Sequence, residues 1–327
     1  MILVGQSGDA AGRTAPIARS VLGGIGNTPL LELRRIVARD CARILIKLES
    51  VNPTGSMKDR MALAMIEAGE RDGRLKPGGR VVEYTGGSTG VSLALVCAAR
   101  EYPLSIVTSD AFSIEKRNHM AALGAELTLV PSVGGGMDAA LTRNMIAAAR
   151  RIMEDTGAFW TDQLNNTDQL AAYHAMADEI WTQTGGRLDA FVQSTGTAAC
   201  VRGAGERLRQ HRPDIRIVAV EPAESAVLSG GKTGTHRIEG VGAGFVVPLW
   251  HDAVADEIAT VSTEDAMAMA RQLARIEALF AGTSTGANLA AAIALGRRLG
   301  PEATIVTVLC DSGLKYASTR LYDPAMA

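Results

Sequence analysis

The chain has 327 residues, enough for about two domains, and its 47% apolar and 21% charged composition is that of a globular protein able to bury a sizeable core. A formal charge of −2 and an aromatic content of 4% give no basic surface and few stacking rings for nucleic acid, and no apolar run reaches the length of a membrane-spanning helix. The cysteines, Cys41, Cys97, Cys200 and Cys310, lie far apart and lack metal-ligand spacing, which fits a reduced, cytoplasmic protein.

Residues 1–18 read as a loosely ordered tail. Leu22 to Leu33, with Gly26-Asn27-Thr28-Pro29-Leu30, reads as a turn and a short extended piece. Arg43 to Glu49 reads as a strand. Residues 52–55 carry two breaker pairs, Asn-Pro and Thr-Gly, and read as a turn. Ser56 then stands where a helix cap is wanted, and Met57 to Arg71 reads as a helix. Lys58 falls in its first turn, where the helix dipole disfavours a cation. Arg80 to Tyr84 is the next expected strand. It leads into Thr85-Gly86-Gly87-Ser88-Thr89-Gly90 and an apolar helix over 91–100. A hydroxyl-rich glycine loop at a helix start is an anion site, because free backbone N–H groups and the dipole point at it.

Strand and helix then alternate: strand 104–108, helix from Ser113 to near Gly124, strand 126–130, helix 137–155. Gly134-Gly135-Gly136 reads as a flexible linker and helix start, since no Lys-Ser/Thr follows it to make a phosphate loop. After Thr161-Asp162-Gln163 comes a helix over 167–184. Strand 190–193 runs into Ser194-Thr195-Gly196-Thr197-Ala198-Ala199-Cys200 and a helix over 201–210. Strand, small-residue loop and helix N-terminus together are the context of a phosphate site. Beyond strand 215–220 lies a glycine-rich run, Gly240-Val241-Gly242-Ala243-Gly244, with no strand leading into it as a dinucleotide loop requires. Strand 257–261, helix 264–276, the turn Thr283-Ser284-Thr285-Gly286, a helix to Leu299 and strand 304–309 follow. His119, His174 and His251 are scattered and read as surface or packing residues, so no metal site is expected. The alternation predicts an α/β protein of two doubly wound domains.

Asn52-Pro53-Thr54-Gly55-Ser56-Met57-Lys58-Asp59-Arg60 closely resembles the cofactor-lysine segment of the cysteine synthase and cystathionine β-synthase family, and further similar segments recur in order from about Leu22 to Thr319. The resemblance implies a tryptophan-synthase-β-like fold with pyridoxal phosphate in the cleft between two domains, a larger one of residues 19–50 and 162–327 and a smaller, partly mobile one of residues 51–161. It implies that Lys58 carries the cofactor and is the catalytic base. It further implies that Ser284 bonds the pyridine nitrogen, that Gly196, Thr197, Ala198, Ala199 and Cys200 hold the phosphate, and that Ser88 and Gly244 border the ring. Thr85, Gly86, Thr89 and Gln163 are implied to take the substrate α-carboxylate. A homodimer is a further expectation.

The sequence departs from the family pattern at several of these positions. Gly86 and Ser88 replace Ser and Asn, Ala198 and Ala199 replace glycines, and Cys200 replaces Thr. An alanine still offers its N–H provided its φ is negative, whereas a thiol is a poor donor to phosphate.

The chemistry implied is β-replacement on an activated serine. Pyridoxal phosphate is an electron sink for a departing α-proton, and a serine at the ring nitrogen, unlike a carboxylate, does not hold it protonated. Cysteine synthesis from O-acetylserine and sulfide is the first expectation, with a small amino acid and a small nucleophile as partners. The alternatives are another β-replacement or elimination (cystathionine-type, diaminopropionate-type, desulfhydrase or dehydratase), a catalytically weak cofactor-binding paralogue acting through a protein partner, and a nucleotide-binding oxidoreductase. The last is disfavoured because no Gly-x-Gly-x-x-Gly follows the first strand.

Overall fold

The computed structural model describes residues 18–133 and 139–323. The expected tail and the Gly134–Gly136 linker lie outside the described residues, apart from Ala18. In sequence order the elements are β1 (Leu30–Glu32), β2 (Arg43–Leu48), α1 (Lys58–Asp72), β3 (Val81–Tyr84), α2 (Ser88–Arg100), β4 (Leu104–Ser109), α3 (Ile114–Ala122), β5 (Glu126–Val130), α4 (Ala139–Thr156) and β6 (Phe159–Trp160). They continue with α5 (Gln169–Thr184), β7 (Ala190–Ser194), α6 (Ala199–His211), β8 (Arg216–Pro222), β9 (Glu257–Val261), α7 (Thr263–Glu277), α8 (Thr283–Leu299) and β10 (Thr304–Leu309).

Two sheets form. The first has order β1-β2-β10-β7-β8-β9, parallel except for β1, and the second has order β5-β4-β3-β6, all parallel. The strands β3, β4, β7 and β10 are buried along their whole length, as parallel strands covered on both faces must be. One face of the first sheet packs with α5 and α6, and an apolar cluster there joins Met57, just before α1, and Met61 and Met65 of α1 to Tyr173, Met176, Phe191 and Leu208. Its other face packs under α7 and α8 through Ile44, Val192, Val218, Leu273 and Leu289. The second sheet has α4 on one face, through Val82, Val107, Met145 and Ala149.

Helices α2, α6 and α8 begin earlier than the apolar periodicity suggests. Ser88 to Gly90, Ala199, Cys200 and Thr283 to Gly286 belong to first helical turns, not to the loops before them. The physical reason is that small and hydroxylated residues carry no apolar periodicity but are well tolerated in a first turn, where N–H groups are unpaired in any case. The two-residue strand β6 escapes sequence reading because two residues are too few to show alternation. No helix among the described residues is long and apolar enough to cross a membrane.

Candidate active site

The turn before α1 is held by residues that follow the last strand. Met57 N donates to Cys310 O at 2.9 Å and Ser312 N to Gly55 O at 2.9 Å, while Ser56 and Asp311 form an isolated bridge. Gly55 turns with φ +74°, a left-handed value that glycine takes without strain. Ser56 Oγ accepts from Lys58 N at 3.2 Å, but the cap position itself falls one residue later than expected, on Met57, whose side chain makes no capping bond. Behind Lys58, the buried Asp59 accepts from Thr54 Oγ1 at 2.5 Å and from Ser92 Oγ of α2 at 2.6 Å, which fixes the first turn of α1 against α2. Burial raises the Asp59 carboxyl and these bonds oppose it.

Half-buried Lys58 lies within electrostatic reach of Cys310, just after β10, and of Cys200, at the start of α6. Burial pushes the Cys200 thiol well above its ordinary value and raises that of Cys310, and the Lys58 charge is close enough to oppose both shifts. Both thiols are therefore neutral at neutral pH. Ser284, buried in the first turn of α8, lies beside Cys310. Its neighbours are tied down: Thr283 Oγ1 accepts from Glu239 N and Thr285 Oγ1 from Cys310 N, each at 3.0 Å. One turn further along, Asn288 Oδ1 accepts from Ser194 N at 2.6 Å, and its amide donates to Gln193 Oε1 and Val308 O, each at 2.9 Å. Asn288 therefore locks α8 to the ends of β7 and β10. Sequence reading missed it, although an amide at i+4 from Ser284 on an otherwise apolar helix face is a usable signal.

The β7–α6 turn has the makings of an anion cradle. A Cβ on Gly196 would lie 2.4 Å from Gly240 O, so only glycine fits there. Among the described residues, the N–H groups of Gly196, Thr197 and Ala198 have no hydrogen-bond acceptor. The buried hydroxyls of Ser194 and Thr195 have no partner either. Donors free at the start of a 13-residue helix fit a phosphate. One sequence expectation is corrected. In place of the negative φ usual for alanine, Ala198 has φ 67° and ψ −11°, a left-handed conformation that glycine takes without strain. The surrounding backbone imposes this geometry, at a cost of ~1–2 kcal/mol for a residue with a Cβ. Of the glycine-rich run, Gly240 and Gly242 touch the turn, the latter by donating from its N–H to Thr195 O at 3.1 Å. Gly244 has φ +81°, and a Cβ there would meet Thr233 Oγ1 at 3.1 Å.

Across the cleft, the 85–90 segment runs from β3 into α2. Thr85 Oγ1 accepts from Gly87 N at 3.1 Å, and Thr89 is buried. A Cβ on Gly86 would lie 2.0 Å from the Phe112 ring, so the glycine in the family's serine position is matched by the aromatic that covers it. Ser88 Oγ gives its single proton to Asp311 Oδ2 at 3.1 Å, and Tyr316 OH donates to the same oxygen at 2.9 Å. Gln163 lies beside this segment and donates from Nε2 to Tyr84 O at 2.9 Å. Buried Lys116 of α3 pairs with Glu239 at 2.5 Å and sits 4.5 Å from the centre of the Tyr316 ring. Lys116, Asp311 and Glu239 join the walls of the cleft, and no local pattern of residues announces these pairings.

The family described as pyridoxal-phosphate dependent enzyme matches residues 21–311 of this protein. A cysteine synthase of Staphylococcus aureus (strain Mu50) is 41% identical over 301 residues, covering 91% of this sequence and 95% of that one. Among solved structures, the cysteine synthase of Entamoeba histolytica superposes with a TM-score of 0.90 at 35% identity, over 97% of this protein and 94% of the other. An O-ureido-L-serine synthase gives 0.88 at 36% identity, over 94% and 96%.

Proposed function

Because this chain belongs to the pyridoxal-phosphate dependent enzymes, and within them to the cysteine synthase family, we propose that it makes cysteine by β-replacement. The bond from the β-carbon of O-acetylserine to its ester oxygen breaks, acetate leaves, and a C–S bond forms with sulfide. The observation that carries this reading is the placement of Lys58. A lysine at the entrance of α1, clamped by residues 310–312, lies within electrostatic reach of Cys200, at the start of α6, and of Cys310, which neighbours Ser284.

When bound, pyridoxal phosphate supplies an electron sink for the α-carbon. The free N–H groups of Gly196, Thr197 and Ala198 take its phosphate, with the Ala199 and Cys200 turn behind them. The buried Cys200 thiol, being neutral, fills space there more than it donates. Ser284 meets the ring nitrogen with a neutral hydroxyl. Thr85, Gly86, Thr89 and Gln163 orient the amino acid by its α-carboxylate, and Lys58 Nζ removes the α-proton. Ser88 has one proton and already gives it to Asp311, so it borders the ring as a weaker donor than an amide. We place Gly244, with the rest of this glycine-rich run, at the border of the cofactor ring. We place the two expected domains, 19–50 with 162–327 and 51–161, around the two sheets. A cytoplasmic homodimer completes the proposal.

The test is the visible spectrum of the purified protein beside Lys58→Ala, with O-acetylserine and then sulfide. A band that shifts with O-acetylserine and returns with sulfide, in the wild type only, supports the reading. A wild type that cannot be loaded with pyridoxal phosphate overturns it. A second reading, β-replacement with another nucleophile, is favoured by Phe112 covering Gly86, which reshapes the wall beside the substrate. A nucleophile panel that leaves sulfide slowest would select it.

A further inference from the structure

Glu83 is a carboxylate on a strand otherwise made of Val81, Val82 and Tyr84, and it is 0% exposed. No Lys, Arg or His among the described residues forms an ion pair with it. A charge-bearing group is not buried without a cation unless its oxygens are otherwise occupied. Here four donors occupy them. Oε1 accepts from Tyr84 N at 2.9 Å and from the Trp160 indole N–H at 3.3 Å. Oε2 accepts from Thr161 Oγ1 at 2.6 Å and from Gln163 N at 3.0 Å. The first pair belongs partly to β3, through Tyr84, the residue just before Thr85. The second belongs to the 161–163 turn, which carries Gln163.

The turn is gripped from its far side as well. Gln169 Nε2 donates to Gln163 O and Asn166 O, each at 2.7 Å, and Gln169 Oε1 accepts from Thr197 Oγ1 at 3.3 Å. The Gln163 backbone is therefore held at N–H by Glu83 and at C=O by Gln169. Its side chain is aimed by Tyr84 O, on the strand that Glu83 occupies. Thr161 Oγ1 can give a proton to Oε2 or take one from it, so the clamp survives protonation of the carboxyl.

We propose that Glu83 is a positioning residue for substrate binding: it locks the Gln163 turn to the foot of the Thr85–Gly90 loop, so that both sets of α-carboxylate contacts form one rigid unit. This rests on the reading that Thr85, Gly86, Thr89 and Gln163 take that carboxylate. Glu83→Gln keeps shape but replaces one acceptor oxygen by an NH2 group. The less costly orientation points NH2 at Thr161 Oγ1, which can accept, and leaves Gln163 N facing a donor. The variant thus frees the Gln163 turn selectively.

The experiment uses the cofactor-loaded enzyme, with the visible band titrated by O-acetylserine and by L-cysteine, which share the α-carboxylate, together with steady-state kinetics. For Glu83→Gln we expect both amino acids to bind at least tenfold more weakly. The KM for sulfide, kcat and the band of the unliganded enzyme should stay within about threefold. Gln163→Ala is measured beside it, and the double variant should bind no more weakly than Gln163→Ala alone. Equal losses in amino-acid and sulfide terms, or unchanged amino-acid binding in a folded Glu83→Gln, overturn the proposal while leaving Gln163 in place. Unchanged binding in Gln163→Ala overturns the assignment of Gln163 and this proposal with it. Should Glu83→Gln not fold, Thr161→Val decides. It removes one donor from Oε2, and amino-acid binding weakened at least threefold with unchanged sulfide KM supports the clamp, while unchanged binding overturns it.

Discussion

Two residues beyond Lys58, Arg60 offers the sharpest test of how the site is anchored. Its guanidinium donates to both oxygens of Glu49 at 2.7 and 2.9 Å and to both oxygens of Glu179 at 2.7 and 2.8 Å. Lys47 completes the cluster at 2.6 Å from Glu179, also reaching Thr28 O at 2.6 Å. The side chains of Arg60, Glu49 and Lys47 are 4%, 0% and 0% exposed. Two carboxylates and two cations balance, and the cluster joins the first turn of α1 to the end of β2 and to α5. Arg60→Ala leaves two carboxylates facing one ammonium. Removing one partner from a buried pair costs ~3–5 kcal/mol, because an uncompensated charge stays behind. Equilibrium unfolding in urea at pH 7, followed by far-UV circular dichroism, reads this directly. Arg60→Lys should recover only part of the loss, since an ammonium cannot bond two carboxylates bidentately. In Glu49→Gln/Arg60→Ala the loss should be smaller than the sum of the single losses, by ~1–3 kcal/mol as for groups in direct contact. A loss under ~1 kcal/mol for Arg60→Ala, the range of exposed pairs, would mean that the cluster anchors nothing.

The same cluster sets an acid limit on stability. Burial alone would raise the Glu179 carboxyl, but hydrogen bonds from Arg60 and Lys47 hold it at about 2, below the ordinary value of 4.5. A depressed carboxylate stabilises the fold fully above the unfolded value and loses that contribution as pH falls through the folded one, here between 4.5 and about 2. The contribution is at most ~3 kcal/mol, less what solvent screening removes at the exposed edge of the carboxylate. Urea midpoints measured from pH 6 downward should therefore fall more steeply in the wild type than in Glu179→Gln, and parallel slopes would contradict this origin. In the 85–90 segment, Gly86→Ser puts a Cβ into the Phe112 ring at 2.0 Å. We expect it to lose ~1–3 kcal/mol by overpacking, and to recover most of this in the Phe112→Ala background. Additive losses in thermal unfolding would show that the two positions are independent.

Much of the fold is legible locally. The strand and helix runs lie where apolar patterns and breaker residues put them. The segments around Lys58, Thr85 to Gly90, Gly196 to Cys200 and Ser284 fall at strand ends or in first helical turns. They can be read because backbone conformation is a local property. Gly-rich turns, small residues and helix starts are written in consecutive residues.

The partners are not legible. Ser88 finds Asp311 across 223 positions, and Glu83 collects donors 77 to 80 positions away. Asn288 joins the ends of two strands, β7 and β10, that only the sheet order makes neighbours. That order places β10, the last strand, between β2 and β7, and so lays residues 310–312 against the turn before Lys58. Periodicity tells which face of a strand is buried but not which strand lies beside it. The left-handed Ala198 shows the same limit in one residue: its own preference is for negative φ, and the packed turn around it decides otherwise. Sequence alone determined the α/β alternation and the helix-start segments of the site. The tertiary structure decided which charges are paired, which hydroxyls are spent and which donors stay open, because those depend on distant segments that meet only when the sheets assemble.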